Sequence, residues 1–210
     1  MRGLDGVRAV LFDMDGTLVD SDAAVERAWK AWARRYDVDE SLVLADMHGS
    51  PAATTVRRVA PQLTDEAVDE AARFQLALQY SDLDDVVATP GASAVLDVLA
   101  ERQMPWAVVT TADRRLATAR LGAAGILAPV LITSEDVTRG KPHPDGYLEA
   151  ASKLRVRPAD CLVVEDSRPG VAAGQAAGMR VAALRGLSAD LSLSDLGQLA
   201  AWLQGSEAPG

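Results

Sequence analysis

Apolar residues follow two rhythms along this chain, and the switches between them divide it. From Val7 to Phe12 they form a run broken only by Arg8, as in a strand buried on both faces. Behind Ser21, placed to cap a helix, Ala24, Ala28, Trp32 and Arg35 recur at helical spacing, and helices alone are predicted from Asp22 to about Asp85. His48-Gly49-Ser50-Pro51 breaks that stretch, with Ser50 able to cap and Pro51 able to open a helix running to about Ala60. Thr64-Asp65-Glu66 then opens a longer helix through Phe74 and Leu78, with acids in its first turn. Thr89-Pro90-Gly91 is a turn signal, and beyond it helices alternate with short apolar strands.

The alternating part predicts a helix through Val95 and Leu99, the strand Trp106 to Val109, and a helix from Arg114 to Ala124 stopped by Gly125. A strand at Val130 to Ile132, a helix from Asp145 to Leu154 and a strand at Cys161 to Val164 follow. A Gly/Ala-rich helix from Val171 to Ala177, the strand Arg180 to Ala183 and a helix from Ser194 to Leu203 complete the pattern. Such alternation requires parallel pairing through helical crossovers. The expected fold is therefore α/β, a doubly wound, Rossmann-like parallel sheet. Residues 1–20 and 86–210 would form its catalytic core, and residues 21–85 a helical cap inserted after the first strand. An insertion there suits a lid over the sheet's carboxyl edge. Trp29, Trp32 and Tyr36 are expected to be the core of that small unit.

Composition narrows the partners. A length of 210 residues and 49% hydrophobic content suit one substantial domain carrying a smaller one. No apolar run approaches a membrane span and no targeting segment is visible at Met1 to Asp5, so a cytoplasmic protein with no membrane partner is expected. The net charge of -9 argues against nucleic-acid binding. The single Cys161 reads as a buried structural thiol. A small substrate is the expected partner, one that would need a metal or a local cationic pocket if it is anionic, as a phosphorylated metabolite would be, and the chain is expected to be a monomer or weak homodimer.

The chemistry gathers at strand ends. Asp13 and Asp15, in Phe12-Asp13-Met14-Asp15-Gly16-Thr17-Leu18, are two carboxylates at the end of a buried strand, and a divalent cation would compensate them. Thr110-Thr111 ends the strand at Trp106, Lys141 lies between Gly140 and Pro142, and Glu165-Asp166 ends the strand at Cys161. In a parallel sheet, Asp13, Asp15, Thr110, Lys141 and Asp166 converge on the carboxyl edge. Asp166 beside Asp13 makes an oxygen site that suits Mg²⁺ better than zinc. A carboxylate held there can attack phosphorus while a hydroxyl and an ammonium share the charge on the transferring oxygens. Lys141 is one of only three lysines, with Lys30 and Lys153.

In that order, Asp13-Met14-Asp15-Gly16-Thr17, Thr110, Lys141 and Glu165-Asp166 resemble the four motifs of the haloacid dehalogenase superfamily, and the helical insert resembles its helical-cap subgroup. Leu18-Val19-Asp20-Ser21, Trp106-Ala107-Val108-Val109-Thr110 and Arg139-Gly140-Lys141-Pro142 are similar to its bacterial phosphatases of sugar and sugar-alcohol phosphates. The resemblance implies Asp13 as nucleophile and Asp15 as general acid and base, with Thr110 and Lys141 holding the phosphoryl group. It implies Mg²⁺ on Asp13, the Asp15 carbonyl and Asp166, with Glu165 a nearby ligand or support. Thr111 and the cap-loop residues His48 and Gly49 would complete the substrate contacts. Phosphoglycolate and glycerol-phosphate phosphatases are neighbouring possibilities. A β-phosphoglucomutase-like activity is disfavoured, since this chain has Val25 where the resemblance implies a cap histidine. A phospho-accepting signalling module would share the strand-end residues but lack both the helical insertion and Asp15.

Overall fold

The computed structural model describes residues 4–45 and 51–205. Strand β1 (Ala9–Phe12) is buried along its whole length, which is why its residues are apolar without alternation. After the short β2 (Val19–Asp20) come α1 (Asp22–Tyr36), α2 (Glu40–Leu44), α3 (Ala52–Val59) and α4 (Asp65–Gln79). Next are β3 (Val87–Ala88), α5 (Ala92–Glu101), β4 (Trp106–Val109), α6 (Arg114–Ala123), β5 (Leu131–Ile132) and α7 (Asp145–Leu154). A 3₁₀ turn at Pro158–Asp160 leads into β6 (Cys161–Glu165), followed by α8 (Arg168–Ala176), β7 (Arg180–Ala183), β8 (Leu191–Ser192) and α9 (Leu196–Gln204).

Six strands form one parallel sheet in the order β5-β4-β1-β6-β7-β8, as the alternating pattern requires. The register is continuous through the centre, with Val10 beside Trp106 on one side and Leu162 on the other. Val10 and Phe12 face a core closed by α5, α6 and α9, while Ala9 and Leu11 face a second core closed by α7 and α8. The sheet is thus wound on both faces. The chain leaves β1 toward β4 and later returns on its other side through β6, so the crevice at the carboxyl ends of these three strands is the topological switch point.

Helices α1 to α4 enclose a third apolar cluster of their own, centred on Trp29, Trp32, Val43, Val56 and Val68. Trp32 is wholly buried, stacks on Tyr36 and donates its indole N–H to the Ala71 carbonyl at 3.0 Å, so the aromatic stripe is core. The antiparallel pair β2 and β3 joins the two ends of this unit where it leaves and re-enters the sheet layer. Two-residue strands such as these and β8, and the five-residue α2, are too short to announce themselves by periodicity. Helix α8 begins three residues ahead of the expected Val171, because Ser167 caps it through the Gly170 N–H and Pro169 fits its first turn. Ser21 occupies the N-cap position of α1 without capping it, because its hydroxyl is used elsewhere. Ser50, the other expected cap, lies outside the described residues.

Candidate active site

Parallel pairing brings the strand-end residues together. Asp13 is held to the edge of β6 by its own N–H, which donates to the Val164 carbonyl at 3.0 Å, and Asp166 follows the end of that strand. Lys141 reaches in from the loop before α7 and places its ammonium between two carboxylates, pairing with Asp13 and with Glu165 Oε1 at 2.6 Å. Lys30 and Lys153 instead sit in half-exposed pairs along their own helices, so Lys141 is the lysine enclosed by the fold.

Glu165 is fully buried and both of its oxygens are engaged. Oε1 accepts from Lys141 and from the Tyr147 hydroxyl at 2.9 Å, and Oε2 from the Asp166 N–H, the Ser167 N–H and the Ser167 hydroxyl. Gly170 is required behind it, since any Cβ there would strike the Glu165 carboxylate. Such a fully bonded carboxylate is a rigid anchor for the ammonium.

Asp13, Glu165 and Asp166 offer oxygens within 4.8 Å of one another, a donor set suited to a hard divalent cation. The electrostatics fit the same group. Burial, reinforced by Glu165 and Asp166, pushes the Asp13 carboxyl well above the usual range against the pull of Lys141. Burial and Glu165 likewise push Asp166 up to about 7 despite Arg185, whose Nε lies 3.0 Å from it. Burial works against the Lys141 charge, yet Asp13 and Glu165 together raise its pKa.

The Asp15 carboxylate turns away from this cluster. Its Oδ1 accepts from the Ser21 hydroxyl at 2.7 Å and from Arg120 Nη1 at 2.7 Å, and no hydrogen bond among the described residues reaches Oδ2. Arg120 comes from α6 and is only 2% exposed. It was not singled out from the sequence, although a signal existed: it lies on the stripe formed by Leu116, Ala117 and Leu121, where an apolar residue is expected. Its Nη2 donates to Gln79 Oε1 at 2.5 Å, and Gln79 donates to Gln75 Oε1 at 2.7 Å, linking α6 to α4.

These groups surround a cavity of about 120 Å³. Asp13, Asp15, Thr110, Thr111, Lys141 and Asp166 line its sheet side, as the strand-end residues predict. Thr110 is held in place by the Ala112 N–H, which donates to its hydroxyl at 3.1 Å. The helical unit supplies Val25, Trp29, Leu76, Gln75 and Gln79. The candidate substrate contacts His48 and Gly49 lie outside the described residues. Arg27, a cation at the edge of the helical unit, is engaged by both Asp82 and Asp85.

Comparison with known proteins agrees with this architecture. The model of the haloacid dehalogenase-like hydrolases matches residues 7–178. Hexitol phosphatase A of Escherichia coli is 44% identical over 84% of this chain and 82% of its own length. Validoxylamine A 7'-phosphate phosphatase of Streptomyces hygroscopicus is 36% identical over 82% of this chain and 83% of its own. Among solved structures, a β-phosphoglucomutase from Clostridium difficile superposes with a TM-score of 0.82 at 20% identity, covering 92% of this chain and 93% of its own, a likeness of fold.

Proposed function

The chain belongs to the haloacid dehalogenase-like hydrolases, and from that footing we propose that it is a Mg²⁺-dependent phosphatase of sugar or sugar-alcohol phosphates working through an aspartyl phosphate. The observation that carries the proposal is the arrangement of Asp13 and Asp15 on one cavity, the first paired with a buried ammonium and the second with one oxygen that no hydrogen bond among the described residues reaches. The phosphatases among the relatives support the substrate class.

In the first step an Asp13 oxygen attacks phosphorus. The bond to the sugar oxygen breaks, and Asp15 donates a proton to that oxygen as it leaves, giving the free alcohol and an aspartyl phosphate. In the second step the Asp15 carboxylate takes a proton from water as the water attacks phosphorus, which releases inorganic phosphate and restores Asp13. Lys141 and the Thr110 hydroxyl hold the phosphoryl oxygens throughout, and Glu165 fixes the ammonium for that task. Asp13 and Asp166, with the Asp15 carbonyl, would hold Mg²⁺, which supplies charge on the transferring oxygens and keeps Asp13 ionised. Residues 21–85 are proposed to act as the cap that excludes bulk water from the reaction.

The test is phosphate release from p-nitrophenyl phosphate and from a hexitol phosphate. Asp13→Asn should lower both by about a thousandfold or more, because the amide removes the attacking oxygen's charge. Activity within about tenfold of wild type would take Asp13 out of the nucleophile's role.

A further inference from the structure

The buried polar chain that joins α4 to Asp15 is more than a fastening between two parts of the molecule. A fastening would be served at least as well by apolar side chains of the same volume, since buried charge is costly to desolvate. Here a guanidinium and two amides occupy the buried stripes of α6 and α4, where Leu116, Leu121, Val68 and Ala71 mark apolar positions. The chain is also incomplete. Among the described residues Arg120 Nε is buried with no hydrogen-bond partner, and the one hydrogen bond to Gln75, 1% exposed, comes from Gln79. Buried donors without acceptors are rare unless a ligand completes them. Both residues line the same cavity as Asp13 and Asp15.

Position says which part of a substrate would complete them. With phosphorus at Asp13, the departing oxygen must lie within reach of Asp15, so the carbon chain behind that oxygen passes along Arg120, Gln79 and Gln75. Trp29 and Val25 present apolar surface to the same space, which suits the C–H face of such a chain. We propose that Gln75, Gln79 and Arg120 form the subsite that reads the leaving group's hydroxyls, and that it selects an uncharged polyol chain. The proposal rests on the phosphatase reading of the site. Arg120 engages both terminal nitrogens with Asp15 and Gln79, leaving Nε, with its single N–H, as the one nitrogen without a partner among the described residues, whereas a carboxylate clamp uses two parallel donors on two free nitrogens. A single hydroxyl oxygen fits the remaining N–H, and amides serve hydroxyls as donor and acceptor alike. Arg120 acts in addition as a positioning residue for Asp15, holding Oδ1 so that Oδ2 faces the departing oxygen.

The experiment compares kcat/KM for a hexitol phosphate, an unsubstituted hexyl phosphate and phosphoglycolate. Wild-type enzyme should prefer the hexitol phosphate over both others by about a hundredfold, and Gln75→Met should cut its preference over hexyl phosphate at least tenfold, chiefly through KM. Arg120→Met should lower kcat as well, and Arg120→Lys should restore part of the loss. Deoxy analogues of the hexitol phosphate make the same measurement on unaltered protein, and should lose efficiency at the hydroxyls nearest the ester. Equal losses on hexitol and hexyl phosphates in Gln75→Met, or no preference in wild type while p-nitrophenyl phosphate is cleaved, would overturn the subsite and leave the phosphatase proposal standing. Phosphoglycolate as best substrate would also overturn it. Failure of wild type to release phosphate from any ester would remove both.

Discussion

Replacing Lys141 by Met should reveal how much of this fold's stability is tied to charge at the site. Met keeps most of the side chain's volume, including the stem beside Tyr147, whose ring centre lies 5.3 Å from the ammonium. What disappears is the cation between Asp13 and Glu165, whose side chains are 11% and 0% exposed. Arg185 remains, but it faces Asp166. Removing one partner of a buried ion pair costs about 3–5 kcal/mol, because the other charge stays buried without compensation. For a chain of this size roughly 2–4 °C of melting temperature goes with each kcal/mol, so the variant should melt about 6–20 °C below wild type at about pH 8 in chelator. The abandoned carboxylates can escape the penalty by taking up protons, so the deficit should shrink to roughly half at about pH 5. Adding Glu165→Gln should recover part of the loss at about pH 8, since the amide oxygen can still accept from the Asp166 and Ser167 N–H groups while its NH₂ meets the Tyr147 hydroxyl. Calorimetry of the three proteins at both pH values measures this directly. A deficit under about 3 °C, or the same deficit at both pH values, would refute the electrostatic account and leave only packing.

Asp15→Asn should impair hexitol phosphate hydrolysis far more than p-nitrophenyl phosphate hydrolysis, because the activated leaving group needs little protonation; equal losses would point to a structural role. Mg²⁺ should stabilise the protein more as pH rises. The folded Asp166 carboxyl, pushed up to about 7 by burial and Glu165, binds its proton more tightly than in the unfolded chain. Its contribution to stability is therefore full below about pH 4 and is lost as pH rises through about 7. The cation replaces that proton, so its shift in melting temperature should be larger at about pH 8 than at about pH 5.5, and equal shifts would contradict its binding at Asp166. Gly16→Ala should cost about 1–3 kcal/mol and weaken the response to Mg²⁺, since φ is +80° and the new methyl would collide with the Asp166 carboxylate; unfolding in urea with and without Mg²⁺ would expose an unaffected variant.

The sequence by itself determined the layer structure and the sheet-edge half of the site. Apolar runs without alternation at Val7 to Phe12, where only Arg8 intervenes, and at Cys161 to Val164 are the signature of strands covered on both faces, and parallel strands must end at a common edge. Once Asp13, Thr110 and Asp166 are placed at strand ends, their meeting follows from backbone geometry alone. The tertiary structure decided what depends on helices packing side by side. Ser21 reads as a helix cap, yet its hydroxyl donates to Asp15, because a cap's partner is chosen by whichever acceptor the fold brings near. Glu165 reads as a nearby metal ligand or support, and the packed fold adds five donors, from Lys141, Tyr147, Ser167 and the backbone, while keeping it in the acidic cluster with Asp13 and Asp166. Arg120, Gln75 and Gln79 are separated by up to 45 residues, and only the docking of α4 against α6 makes them one network with Asp15. Periodicity tells which face of a helix is buried; which face it meets is a property of the packed molecule, since the same apolar stripe can dock against many partners.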